Sequence, residues 1–285
     1  MITLYKNHSE RIGTWRIWNE ENTIYYDYAI LENSGSRILN KEEVQTNQSG
    51  RSMEEQVQLR INSMISTHLD RGYKKTREEA QTSKTNQLGL LRPMLAKQLK
   101  QVKYFNKENA YLQFKLDGHR CLITRQGNEI VAYSRQGKLI KTINHITKSL
   151  VNMPDGYTLD GDLYSHGQSL QTLSSWIKRE QLNSEKLLFV AYDLISDASF
   201  KYRYMELKDI LFNHTNAIPL PTYRYKDEDH MYQLFGEARA KGYEGLMIRT
   251  SDHGYEDGVR SSSLIKVKSF MDEEFQVIDV IPAKD

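Results

Sequence analysis

The sequence predicts an α+β fold in two unequal units. From Arg92 onward, short β-branched and aromatic runs alternate with segments of helical periodicity. The first three runs, YLQFKL, RCLITR and EIVAYS, follow one another through short polar connections. That favours antiparallel pairing over a doubly wound parallel sheet. Ahead of them lies an aromatic, strand-rich stretch with a single well-capped helix.

In the first unit, residues 1–76, WRIW and TIYYDYAIL read as two short strands, and NSGS (Asn33 to Ser36) as a turn. Ser52-Met-Glu-Glu55 is a capping box: Ser52 bonds a first-turn amide and Glu55 reaches back. Val57, Ile61, Met64, Ile65 and Leu69 then recur at helical spacing, and Gly72 can close the helix. Residues 77–91, REEAQTSKTNQLGLL, are polar and weakly patterned and read as a linker. Residues 92–271 form the main unit. Its later strands are expected in YTLDGDLY, LLFVAYDLI, EGLMIRT and SLIKVK, and its helices in LIKTINHITKSL, SLQTLSSWIK, YRYMELKDILFN and EDHMYQLFGEARAKG. The tail, 272–285, contains EEFQVIDVIPA, which starts a strand and stops, as the opening of a truncated further domain would.

A hydrophobic content of 39% supplies a core, and 27% charged residues suit a soluble globular chain. No apolar run reaches the roughly 20 residues that span a bilayer, so no membrane is expected. The amino terminus, MITLYKNHSERIG, lacks the apolar stretch of a secretory signal. The one cysteine, Cys121, has no partner for an internal disulfide, which fits the cytoplasm. Net charge is only +2. Between Lys97 and Lys141, however, ten lysines and arginines face only Glu108, Asp117 and Glu129. Such an excess suits a phosphate-rich partner, and equally a solvated lysine-rich surface.

The chemistry centres on Lys115-Leu-Asp117-Gly118-His119-Arg120, at the end of a predicted strand. A lysine there can be partly desolvated among cations, which exposes a nucleophilic amine. Asp117-Gly118 is a turn signal that leaves the lysine tip open, and Arg120 is spaced to reach phosphate or ribose. Alone, the string also describes an ordinary exposed turn. His119, His145 and Cys121 have no metal-ligand spacing with another His or Cys.

The string resembles the nucleotidyl-lysine motif of the covalent nucleotidyltransferases: DNA ligases, RNA ligases and mRNA-capping enzymes. Further matches follow in the family's order. Pro93-Met94-Leu95-Ala96 resembles the segment before the lysine in ATP-dependent DNA ligases, and Ser134-Arg135-Gln136-Gly137 the next motif. Leu159-Asp160-Gly161-Asp162 resembles the third motif and Phe189-Val-Ala-Tyr192-Asp193 its aromatic extension. Glu244-Gly245-Leu246-Met247-Ile248-Arg249 resembles the fourth, and Leu264-Ile265-Lys266-Val267-Lys268 the fifth. Ordered matches over residues 92–270 are stronger than any single pattern.

The resemblance implies an antiparallel-sheet adenylation core of the ATP-grasp-like ligase type, followed by an oligonucleotide-binding domain that would begin at 272–285. It implies that Lys115 attacks the α-phosphorus of ATP and carries AMP, which passes to the 5′-phosphate of nicked double-stranded DNA before the 3′-hydroxyl displaces it. Lys266 and Lys268, two apart on a strand, would offset phosphoryl charge. Glu244 and Asp162 are the metal candidates for Mg²⁺. Gln113, Arg120, Arg135, Asp162, Tyr192 and Arg249 are counted as nucleotide-binding: Tyr192 as a face for adenine, Gln113 for the base edge, Arg120 and Arg135 for ribose and phosphate. Duller readings exist for Tyr192 (core packing), for Lys266 and Lys268 (an exposed strand face) and for Glu244 (a turn cap).

Two departures stand out. Asp162 occupies a place where the family usually has glutamate, and the family's sixth motif is absent because the chain ends at Asp285. A fragment of this kind is expected to form lysine–AMP poorly. RNA ligation or capping is the enzymatic alternative, though capping enzymes typically start the fourth motif with aspartate. A nucleic-acid-binding protein that has lost activity is the other alternative. A monomer in a phage or bacterial repair and replication setting is implied. The first unit loosely resembles a WGR-type nucleic-acid-binding module through Trp15, Trp18, Gly50-Arg51-Ser52 and Gly72-Tyr73-Lys74, without the signature triplet. Arg51, Lys74 and Lys75 could grip a DNA backbone, or the tryptophans could simply be core.

Overall fold

The computed structural model describes residues 1–8, 11–29, 36–46, 49–82, 85–86 and 88–268. Most of the turn expected at Asn33 to Ser36, and the domain start expected at 272–285, lie outside those residues. The first unit has four strands where the patterning predicts two. They are β1 (Ile2–His8), β2 (Arg11–Glu20), β3 (Thr23–Ala29) and β4 (Ile38–Glu43), paired antiparallel in that order. The helix α1 (Met53–Asp70) lies across them and opens on the expected capping box, with Glu55 N–H donating to Ser52 Oγ at 3.2 Å and Ser52 N–H to Glu55 Oε2 at 2.8 Å. Trp15 is 2% exposed and stacks on His68 of α1, ring centroids 3.7 Å apart. It is therefore core, as the duller reading had it. The stretch read as a linker contains α2 (Arg77–Thr82), and Leu90 near its end is buried against Leu122 and Tyr133.

The main unit runs β5 (Leu95–Gln98), β6 (Ala110–Lys115), β7 (His119–Gln126), β8 (Glu129–Ser134), α3 (Asn144–Ser149), β9 (Thr158–Tyr164) and α4 (Leu170–Lys178). Then follow β10 (Leu188–Leu194), α5 (Phe200–Ile210), β11 (Ala217–Pro219), β12 (Thr222–Arg224), α6 (Glu228–Ala240), β13 (Gly245–Thr250) and β14 (Arg260–Lys268). The strands form two five-stranded sheets, β11-β10-β9-β7-β8 and β12-β6-β13-β14-β5. Pairing is antiparallel except for β10 with β11 and β14 with β5. Helix α3 is shorter than its periodic segment because Ile140 N–H bonds back to Ala132 O of β8 at 2.8 Å. Among the described residues, no helix is long and apolar enough to cross a membrane.

One expectation fails in an instructive way. β7 and β8 form the predicted hairpin, but β6 does not join them; it pairs with β12 and β13 in the other sheet. The cause is Leu116. This residue is buried with Tyr164, Val190, Tyr192 and Leu220 in an apolar cluster between the sheets, which draws the chain across instead of back. The Lys115-to-Arg120 string thus bridges two sheets, and the seam between them is where its side chains point.

Candidate nucleotide-binding seam

Strand register builds one wall of the seam. Lys115 closes β6 opposite Gly245, and Gly245 in turn faces Lys268 of β14. Glu244 N–H donates to Lys115 O at 2.9 Å, which fixes Glu244 beside this row. Position 245 requires glycine: its φ is +150°, and a Cβ there would strike the Val267 carbonyl. With the backbone so placed, the Glu244 carboxylate accepts from both Lys115 Nζ and Lys268 Nζ. Burial pulls the Lys115 ammonium below the ordinary lysine range and Arg120 adds to that, while Asp162 and Asp117 oppose it. Burial and the charge of Lys115 likewise lower Lys268. Lys266 lies half-buried on the same strand face as Lys268.

The other sheet supplies the facing wall. Arg120 Nε donates to Asp160 Oδ1 at 2.7 Å, and its Nη2 reaches Met94 O at 3.1 Å. Tyr255 ties the same carboxylate down, donating to Asp160 Oδ2 at 2.6 Å while accepting from Met94 N–H at 2.8 Å. Asp162, 9% exposed, accepts from Tyr192 Oη at 3.0 Å. Burial pushes the Asp162 carboxyl up to about 6, against the pull of Arg120, Tyr192 and Lys115. Gly118 keeps the approach open, since a Cβ there would lie 2.8 Å from the Asp162 Cβ. The Tyr192 ring has the guanidinium carbons of Arg120 and Arg249 each 5.1 Å from its centroid.

Gln113 and Arg249 sit deeper than the sequence suggested. Gln113 is 1% exposed; its Oε1 accepts from Arg249 Nε at 2.6 Å, and its Nε2 donates to Thr222 Oγ1 at 2.8 Å and to Tyr192 O at 3.2 Å. Its polar atoms are thus engaged by the protein, which suits Gln113 to holding β6, β10 and β12 in place. Arg249 Nη1 donates to Asp193 Oδ2 at 2.6 Å, and Arg203 Nε of α5 donates to Asp193 Oδ1 at 2.7 Å. Asp193 and Asp160 are functional in this sense, and sequence reasoning gave them no role. The available signal was a carboxylate inside an apolar strand, which has to be paired. Tyr255 carried no signal in the sequence.

The seam encloses about 420 Å³, within the range of small-molecule sites. Lys115, Glu244, Lys266, Lys268, Asp162, Arg120, Arg135, Tyr192, Gln113 and Arg249 all border it, so the structure brings together the residues expected to serve the nucleotide, though not Arg51, Lys74 and Lys75. Leu95, Phe114, Leu116, Met247 and Leu264 add apolar lining. A cavity with apolar surface, lysines held by an exchangeable carboxylate, and arginines on its lining can take a phosphorylated heterocycle. Among the described residues, no group of three or more His, Cys, Asp or Glu could hold a metal unaided. Glu244 and Asp162 suit an ion that takes only one or two carboxylates and completes its shell with phosphate oxygens, as Mg²⁺ does.

Comparison with known proteins agrees with this geometry. The family described as ATP dependent DNA ligase domain matches residues 93–268. The DNA ligase of African swine fever virus (isolate Pig/Kenya/KEN-50/1950) is 27% identical over 218 residues, covering 69% of this chain and 51% of the viral protein. The DNA ligase of Thermococcus onnurineus is 25% identical over 215 residues, covering 64% of this chain and 37% of the archaeal one. The chain thus spans about half the length of the viral relatives it matches, and less of the archaeal one. Among solved structures, the fold is similar to that of Chlorella virus DNA ligase-adenylate (TM-score 0.50, 23% identity, 64% of this chain and 70% of that one). It is also similar to the ATP-dependent DNA ligase of bacteriophage T7 in complex with ATP (TM-score 0.50, 20% identity, 62% of this chain and 68% of that one). With its ordered motifs gathered on one seam and most of its length matched, the chain belongs to the family of ATP-dependent DNA ligase domains.

Proposed function

We propose that the protein joins nicks in DNA, taking AMP from ATP onto Lys115 and passing it to a 5′-phosphate. The observation that carries this reading is the cross-strand row Lys115–Gly245–Lys268 with Glu244 bonded to both lysines. In the first step the Lys115 amine bonds to the α-phosphorus, the bond to pyrophosphate breaks, and the ammonium proton has been lost beforehand. Burial of Lys115 favours that loss. Arriving phosphate gives Lys268 a second anionic partner, with Lys266 on the same strand face, so charge on the phosphoryl oxygens meets cations already in place. Arg120 and Arg135 reach the same cavity and suit ribose or phosphate. Tyr192 can offer adenine only the part of its ring that Arg120 and Arg249 leave open. Magnesium would be held by Glu244 and Asp162 and would supply charge neutralisation on phosphate. Gln113 acts as a positioning residue. Nucleic-acid binding by the first unit completes the reading.

The test is intact mass after incubation with ATP and Mg²⁺, beside Lys115→Ala. A gain of one AMP, absent from the variant, is expected. An adduct that persists in Lys115→Ala sinks the assignment. Release of that AMP on addition of duplex with a 5′-phosphorylated nick, with a joined strand as product, identifies the acceptor.

A further inference from the structure

Beside the seam lies a larger cleft, about 1070 Å³, whose two walls come from the two units of the chain. Lys6 of β1 and Arg71 at the end of α1 form one wall. Arg135, Lys138, Lys141 and Lys178 form the other. No aspartate or glutamate is among the described residues that line it. The units touch here: Arg92 Nη1 donates to Arg71 O at 2.6 Å, and the turn after β8 passes Gly137 against Asn86 and the Asp70 carbonyl. That turn is set by Gly137 N–H donating to Ser134 O at 2.8 Å, with φ +84° at the glycine, and it carries Arg135 and Lys138 exposed. Arg120, Arg135 and Gly118 border both the cleft and the seam, so the two cavities are continuous.

We propose that this cleft holds the phosphodiester backbone of the duplex DNA acceptor, gripped by Lys6 and Arg71 on one side and by Arg135, Lys138 and Lys141 on the other. The proposal rests on the reading of DNA as acceptor and adds the first unit to its binding surface. Charge complementarity carries it. Cations spread along two walls match a polymer with a charge at every phosphate better than they match a single small anion. Crowding supports it: burial, then Arg92 and Arg71, push the Lys6 ammonium down to about 8, a repulsion that a bound phosphate relieves. Arg51, Lys74 and Lys75, which the sequence suggests for a backbone grip, are not on the lining of this cleft. Lys74 is buried, with its Nζ donating to Asn86 O at 3.2 Å, and does not reach the cleft.

The experiment is fluorescence anisotropy of a labelled nicked duplex bearing a 5′-phosphate, titrated with the full chain over a salt series. The chain is used unchanged, as Lys6→Ala with Arg71→Ala, and as Lys138→Ala with Lys141→Ala; melting by circular dichroism checks that each variant is folded. Each pair is expected to weaken binding about tenfold and to flatten the slope of log affinity against log salt by about two. Unchanged affinity and slope in a folded Lys6/Arg71 variant overturns the cleft while leaving the acceptor reading intact. If that variant fails to fold, the opposite pair decides in the same way. Failure of the unchanged chain to bind nicked DNA overturns the acceptor reading and the cleft together. Stronger competition by duplex RNA than by duplex DNA overturns the assignment to DNA.

Discussion

In the seam, cations stand against carboxylates; in the cleft beside it, they stand against one another. Lys115 and Lys268 share Glu244, Arg120 has Asp160, and Arg249 has Asp193. Lys6 and Arg71 face Arg135, Lys138 and Lys141 with no acidic residue among the described residues of the lining. The difference follows from depth. A buried guanidinium without a counter-ion is prohibitively destabilising, so the inner site has to bring its own anions. On the open side of the cleft, at Arg71, Lys138 and Lys141, water screens the repulsion, while half-buried Lys6 bears it; in the proposed reading that charge is left for an incoming polymer. The inner site exchanges partners, and the outer one acquires them.

Three substitutions test that contrast. Asp193→Ala should act most strongly, because it leaves Arg203 and Arg249, 2% and 3% exposed at their side chains, without their shared carboxylate. A loss of about 3–5 kcal/mol in urea unfolding is expected. A loss under about 1 kcal/mol would mean that the inner pairing is not what holds the seam.

Glu244→Gln comes next. It keeps the shape but removes the charge that gathers Lys115 and Lys268. The single-turnover rate of AMP uptake should fall about 100-fold, the size expected when reacting groups lose the contact that positions them to within about an ångström. An undiminished rate would show that the lysines need no carboxylate between them.

The smallest effect should appear in the cleft, with the opposite sign. Lys6 sits at about 8 in the folded chain against 10.5 as its ordinary value, so its charged form is disfavoured by folding. A depressed value means that Lys6 costs stability in full below about pH 8 and that the cost fades towards pH 10.5. Lys6→Met should therefore raise stability at pH 7 by about 1 kcal/mol once solvent screening is allowed for, with the gain vanishing near pH 10.5. The same variant should bind nicked duplex less well. A variant that melts lower than the parent at pH 7 would show Lys6 to be a packing residue.

The resemblance to ordered family motifs made the inner site legible, and strand register explains why Lys115, Lys266 and Lys268 meet, each lying opposite β13. What spacing could not give was the partition of strands. Short polar loops argue that neighbours in sequence pair, and only the burial of Leu116 between the sheets sends β6 elsewhere. The same blindness to tertiary contacts hid how Arg249, Thr222 and Tyr192 engage the amide of Gln113, the residue expected at the base edge. For Trp15 and Lys74 the sequence left two readings open for a related reason. A tryptophan and a lysine look alike in sequence whether they face solvent or the Trp15–His68 stack and the Asn86 carbonyl.

The Asp193 junction also has a mechanical meaning. Its carboxylate sits on β10 of one sheet and holds Arg249 from β13 of the other, with Arg203 of α5 as a third arm. It acts as a rivet through two plates: neither sheet can slide without parting a buried carboxylate from a guanidinium. In the proposed reading, accommodation of phosphate falls to the tips of Lys115 and Lys268, one bonding to it and the other leaving Glu244 for it, while the junction keeps the two sheets in place.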